Sequence, residues 1–311
     1  MATNSSTYYG PVDETSSDIL LEKTFLNSGY LTGVAFGIQL MVYGACIHLL
    51  WTKQRTAQST KFFIPYLTIL CALNLVWTAT SAYGLQLTFI DNRNYPGGII
   101  TFLGVEFALP ANIVSLASYI SSNILADALM IWRCYIVWAA APGAKMKALL
   151  VIILPSLMLL GSFSRSSSRQ KLTLPGPGLF GSITAVFATP FFALSMVLNM
   201  VVSLLIMVRI WAYRRRGELP SSYGGKSVSF AAIFVESALL YSIISMLVVV
   251  TFSIGHPINQ IWLGIAPATQ LIANYLIIYR IAQGRALSKE TDTVSSAAAS
   301  ENESTEEKVS V

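Results

Sequence analysis

Apolar runs of about twenty residues recur along the whole chain, each long enough to cross ~30 Å of hydrocarbon at ~1.5 Å per residue. A water-soluble protein of 311 residues has no interior large enough to hide them all. Hydrophobic residues make up 54% of the sequence and charged ones only 11%, against about 25% charged in a soluble domain. In a bilayer every backbone polar group must be satisfied internally, and helical spans do this within one segment. The expected fold is therefore all-α: a polytopic membrane protein built as a bundle of seven transmembrane helices.

The spans are expected at about 28–51, 62–87, 111–138, 148–163, 187–211, 228–254 and 261–279, within one membrane domain over 28–285. Residues 1–27 form a polar, mildly acidic tail, and 286–311 a Ser-, Glu- and Ala-rich tail expected to be disordered in the cytoplasm. The first residues lack a basic start and an apolar core, so no cleaved signal peptide is expected. In the first span, Gly33, Gly37 and Gly44 make a smooth face, expected to serve packing within the chain rather than dimerisation. Pro65 is placed in the first turn of the second span, where proline is tolerated. The long link after that span, in its part IITFLGVEFALP, is expected to lie along the interface as a short helix.

Basic residues concentrate in alternate links. Lys53, Arg55, Lys61, Lys145, Lys147, Arg209, Arg214, Arg215, Arg216, Lys226, Arg280 and Arg285 share one side; Lys23, Arg93, Arg165, Arg169 and Lys171 share the other. The positive-inside rule then sets the N-terminus outside and the C-terminus inside, although three bases in the link between the fourth and fifth spans run against it. Trp51, Trp138, Trp211 and Tyr279 fall at the expected inner interface. Asn4 heads a glycosylation triplet, Asn4-Ser5-Ser6, on the outward tail. The Arg214, Arg215 and Arg216 cluster suits anionic lipid or a cytoplasmic signalling protein such as a G protein. The bilayer itself is the first partner, and the net charge of +5, spread over unlike segments, gives no reason to expect nucleic acid.

The third span carries ionisable groups at depth: Asp127 near its middle and Arg133 near its end. Such groups are costly in hydrocarbon and face a protein interior, a wet cavity or a partner. The other spans are therefore expected to pack around this one. By helical rise, Asp127 lies ~17 Å from Trp138, Asn199 ~18 Å from Trp211, Asn74 ~18 Å from Phe62 and Glu236 ~12 Å from Val228, so four helices place a polar group in one slab. Tyr119, Asn123 and Asp127 follow at four-residue spacing on one face. Arg133, about 240° around from Asp127, is expected either to snorkel to the inner surface or to reach Glu236. Three uses stay open: a structural network, a latch in which Arg133 and Glu236 part, or a cation or proton site for transport.

The remaining chemistry is sparse. The last span has no lysine for a Schiff base, and His48 and His256 lie near opposite faces, so neither retinal nor a zinc centre is expected. No nucleophilic triad, phosphate loop or Cys/His metal spacing occurs. Cys46, Cys71 and Cys134 fall inside apolar runs, as small buried hydrophobes do. No enzyme activity, metal or cofactor is expected.

Four blocks in order, DALMIWRCYIVW (Asp127 to Trp138), LNMVVSLLIMVRIW (Leu198 to Trp211), VESALLYS (Val235 to Ser242) and GIAPATQLIANYLIIYRIAQGRAL (Gly264 to Leu287), form a recognisable set. With them the chain resembles a family of seven-helix integral membrane proteins of mushroom-forming (basidiomycete) fungi, over roughly Ser28 to Leu287. That family is similar to G-protein-coupled receptors in span number and orientation. The first reading is a seven-helix receptor-like protein of the plasma membrane, sensing something through its outer half and signalling through basic inner links. The chain departs from rhodopsin-like receptors at Trp132-Arg133-Cys134-Tyr135, with no acid before the arginine, and at Ala273-Asn274-Tyr275, with no Asn-Pro-x-x-Tyr. The alternatives are a small-solute or ion transporter using the polar slab, and a non-signalling membrane organiser.

Overall fold

The computed structural model describes residues 15–54, 58–106, 109–139, 194–195, 197–205, 207–209, 211, 215, 241–280 and 282–283. Helices are α1 (Ser16–Gln54), α2 (Gln58–Gln86), α3 (Gly98–Glu106), α4 (Pro110–Ala139), α5 (Val197–Arg209), α6 (Tyr241–Ser253) and α7 (Asn259–Arg280). No strand occurs among the described residues. The helices α1, α2, α4 and α7 are long and apolar enough to cross a membrane. The span expected at 148–163 and the tail at 286–311 lie outside the described residues.

Helix α1 begins at Ser16, not near Ser28, so the expected tail over 1–27 is partly helical. The cause is local. The Thr15 hydroxyl accepts from the Asp18 amide at 3.3 Å, and the Asp18 carboxylate accepts from the Thr15 amide at 3.1 Å, which is a capping box. A helix of 39 residues is about 58 Å long, so α1 outreaches the ~30 Å hydrocarbon core.

Pro65 corrects a second expectation, because α2 starts at Gln58 and the proline falls inside the helix. The chain leaves α2 through a π-helical turn, Leu87–Asp91, and reaches α3 over Gly97, whose φ of 91° suits glycine. The short helix expected in this link is α3.

The expectation that the third span, α4, lies at the centre needs amending. Burial covers 72% of the apolar window in α7 against 50% in α4, 22% in α2 and 17% in α1. Both α4 and α7 contribute to each of three apolar clusters: Leu129 with Tyr275, Met130 with Ile277, and Tyr119 with Leu263. The bundle is thus organised on a pair of helices. Helix α1 buries Thr32, Gln39 and Cys46 at seven-residue spacing and turns Tyr30, Val34, Ile38 and Met41 outward. Such an unbroken apolar stripe, with Met41 78% exposed, fits lipid and not water.

The glycine face of α1 does not pack as expected. Among the described residues nothing lies within 4 Å of a Cβ built at Gly33, Gly37 or Gly44, because they sit about 100–140° around from the buried row. The close approach instead occurs at Gly264 of α7, where a Cβ would collide with the Ser28 and Thr32 hydroxyls of α1. There the Ser28 hydroxyl donates to the Gln260 carbonyl at 2.7 Å. We expect Gly264→Val to lower stability by about 1–3 kcal/mol through overpacking, read as a lower Tm in detergent. Gly44→Ala should leave Tm unchanged or slightly raised.

Candidate functional site

Asp127, 2% exposed, is the hub of a cluster drawn from α4, α6, α7 and Ser195, a helical residue just ahead of α5. Its Oδ2 accepts from the Ser195 hydroxyl at 2.7 Å and its Oδ1 from the Gln270 amide at 2.9 Å. Asn123, one turn before it, accepts on Oδ1 from Gln270 at 3.1 Å, and Ser195 also lies 3.1 Å from that oxygen. The Tyr241 hydroxyl of α6 lies 3.4 Å from Ser195. The four-residue spacing in α4 aligns Asn123 and Asp127, and neutral donors from other helices meet their oxygens.

Arg133 departs from one of the two expectations for it. It is 5% exposed, so it does not snorkel. It also makes no ion pair among the described residues; its guanidinium donates to the Asn274 side chain at 3.2 Å and to the Asn274 backbone carbonyl at 3.0 Å. Met130 Sδ lies 3.7 Å from the same group, and the Nε hydrogen has no partner among the described residues. The guanidinium fork suits this two-oxygen grip on one residue of α7. Glu236, the other partner considered for it, lies outside the described residues.

The expected slab resolves into separate units. Asn74 is buried but donates to Gln39 of α1, not to the Asp127 cluster. Asn199 is buried one turn beyond Ser195, and no hydrogen bond joins it to Asp127 among the described residues. Ser195, Gln270 and Gln39 were missed in the sequence. The signal for two of them was spacing: Ser195 precedes Asn199, and Gln270 precedes Asn274, each by one turn on the same face.

Of the basic cluster, Arg215 is exposed and its guanidinium stands 4.4 Å over the Trp211 ring. Arg214, Arg216 and Asn4 lie outside the described residues. Cys46, Cys71 and Cys134 are buried free thiols. No group of three or more metal-ligating side chains occurs among the described residues.

A second polar site lies at the end where α4 and α7 begin. A partly open cavity of about 120 Å³ lies among α1, α2, the π-helical turn, α3, α4 and α7. Glu106, at the end of α3, reaches it and accepts from the Thr88 hydroxyl at 2.8 Å. Burial pushes the Glu106 carboxyl up from the usual carboxylate range, and the Thr88 hydrogen bond opposes that shift.

No protein-family model matches this sequence, and no curated protein matches it. The functional reading therefore rests on the residues themselves.

A double-mutant cycle tests the α4–α7 contact. Asn274→Ala should cost about 1.5–3 kcal/mol, the range for hydrogen bonds to a charged group, in reversible unfolding from mixed micelles. In an Arg133→Met background most of that cost should vanish, whereas in an Asp127→Asn background it should persist.

Proposed function

We propose that this chain is a receptor-like, seven-helix integral membrane protein of the plasma membrane, with its N-terminus outside and its C-terminus in the cytoplasm. In this reading it senses a small ligand through its outer half and signals through basic inner links to a cytoplasmic protein such as a G protein. The proposal carries forward the resemblance to the basidiomycete seven-helix family. The observation that carries it is the polar seam between α4 and α7. Asp127 is held by Gln270 and Arg133 by Asn274, so both buried charged side chains of α4 depend on the position of one neighbouring helix. A contact between buried charged side chains and neutral amides is a two-state element, since it is either made or leaves a charge unsatisfied.

The same helix runs from cavity to seam. Gln260 and Gly264 line the cavity, and Gln270 lies about 15 Å further along α7. A ligand that binds one position of α7 better than another would shift the seam by that difference in affinity. Catalysis has no part in this reading.

The transport reading draws on the oxygens of Asn123, Asp127 and Ser195, which converge at one depth. The two readings separate in one experiment. Asp127→Asn and Glu236→Gln are made singly and compared with the unaltered chain, both in reconstituted vesicles and beside co-expressed G proteins. The receptor reading expects basal guanine-nucleotide exchange to change by up to about tenfold, since ~1.4 kcal/mol in the seam is a factor of ten in population. It expects no loss of solute or ion flux. Flux lost in both variants, with exchange unmoved, would replace the receptor by a transporter.

A further inference from the structure

Helix α5 has the reverse of the polarity expected of a helix in water. At ~100° per residue, Ser195, Leu198, Asn199 and Val202 share one side, and all four are buried. Val197, Met200, Leu204, Val208, Trp211 and Arg215 fall within about 80° of one another on the opposite side, and all six are exposed. Polar groups turned inward and apolar ones outward is the arrangement of a helix bathed in lipid.

The outward row changes character along its length. It is aliphatic from Val197 to Val208, aromatic at Trp211 and cationic at Arg215. Trp211 stands ~4.5 Å past Val208 along the axis, and Arg215 ~6 Å past Trp211. Tryptophan marks the level where acyl chains give way to headgroups, which sets Arg215 among the phosphates.

Arg215 is arranged to hold an oxyanion. Its guanidinium carbon stands 4.4 Å over the ring of Trp211, which is itself 55% exposed. A guanidinium that rests one face on an aromatic ring keeps its in-plane N–H fork for an anion. Arg215 makes no ion pair among the described residues. The surrounding run, Arg209 to Arg216, reads RIWAYRRR, four arginines with no acid.

An occupant of this face must bring an anion to the end of the row and an apolar length along it. A soluble anion lacks the second, and a cytoplasmic protein reaches only the arginines. A phospholipid has both parts, and a headgroup of net negative charge answers the arginine run better than a zwitterionic one.

We propose that the basic end of α5 seats an anionic phospholipid, with its phosphate on Arg215, its glycerol level with Trp211 and an acyl chain along Val208 and Leu204. The site rests on α5 lying in a bilayer and not on the receptor-like reading.

The test reconstitutes the full chain in nanodiscs of equal phosphatidylglycerol and phosphatidylcholine with the same acyl chains. Native mass spectrometry then counts the lipids retained on release. Phosphatidylglycerol should be retained about fivefold over phosphatidylcholine, the worth of one arginine beside an anionic surface. Arg215→Gln should bring that ratio below two with Tm unchanged. Arg280→Gln, at the exposed end of α7, should leave it near five. Excess inorganic phosphate should not displace the lipid.

Equal retention of the two lipids by the unaltered chain overturns the proposal, whether or not a variant folds. A ratio that Arg215→Gln leaves unchanged, or that Arg280→Gln lowers as much, overturns it as well. Displacement by inorganic phosphate would make this an anion site with no use for a lipid tail. An unchanged ratio with altered nucleotide exchange in Arg215→Gln would give the arginines to a cytoplasmic protein instead. A ratio that depends on Arg215, with exchange unmoved by Asp127→Asn, would leave the site standing and remove the receptor.

Discussion

Asp127 and Arg133 are buried ionisable side chains on the same helix and cannot pair with each other. Six residues of helix put them ~9 Å apart along the axis and about 240° around it. Left alone in hydrocarbon, either charge would cost several kcal/mol. Each has therefore recruited neutral dipoles from neighbouring helices: Ser195 and Gln270 for the acid, the side chain and carbonyl of Asn274 for the base. Two of those three partner residues belong to α7. The pairing of α4 with α7 follows from that electrostatic requirement more than from apolar contact, since lipid offers apolar side chains as good a surroundings as protein does.

The rest of the packing is consistent with this division of labour. Helix α7 is the most buried of the long helices, and α1 the least. An apolar cluster that includes Cys46, Leu67, Ala126 and Leu271 ties α1 and α2 to the pair, together with single hydrogen bonds to backbone carbonyls. Ser28 donates to Gln260, Tyr66 to the Leu125 carbonyl at 2.6 Å, and Tyr275 to the Leu67 carbonyl at 3.2 Å. Such contacts are worth about 0.6 kcal/mol on average between membrane helices. They let α1 keep a broad lipid-facing stripe while its opposite side closes over the cavity.

Composition and run length alone revealed the helical, membrane-like character, because a solvent requirement acts on every residue of a span. The spacing rule likewise picked out Asn123 and Asp127 as a pair, since four residues along a helix determines a shared face. Partners between helices were not legible in this way. The arithmetic of rise set Asn74 at the depth of Asp127, but depth says nothing about azimuth, and Asn74 turns to Gln39. Attention to charge likewise passed over Asn274, whose amide and carbonyl both accept from Arg133. The glycines of α1 misled for a related reason: small residues permit close approach but do not specify it, and the approach occurs at Gly264.

Arg133 also has a task that Asp127 cannot perform. Gln270 and Asn274 stand four residues apart on one face of α7, so sliding that helix by one turn, about 6 Å, would offer Asp127 the second amide in place of the first. For the acid alone the two registers are nearly equivalent. For the base they are not, because the same slide would bring the buried, apolar Ile278 to the position of Asn274. A guanidinium facing an isoleucine loses the side-chain oxygen of Asn274 and keeps only a backbone carbonyl, since the slide brings the Ile278 carbonyl to the place of the Asn274 one; the lost bond costs about 1.5–3 kcal/mol. The arginine thus favours one register out of two that the aspartate would accept.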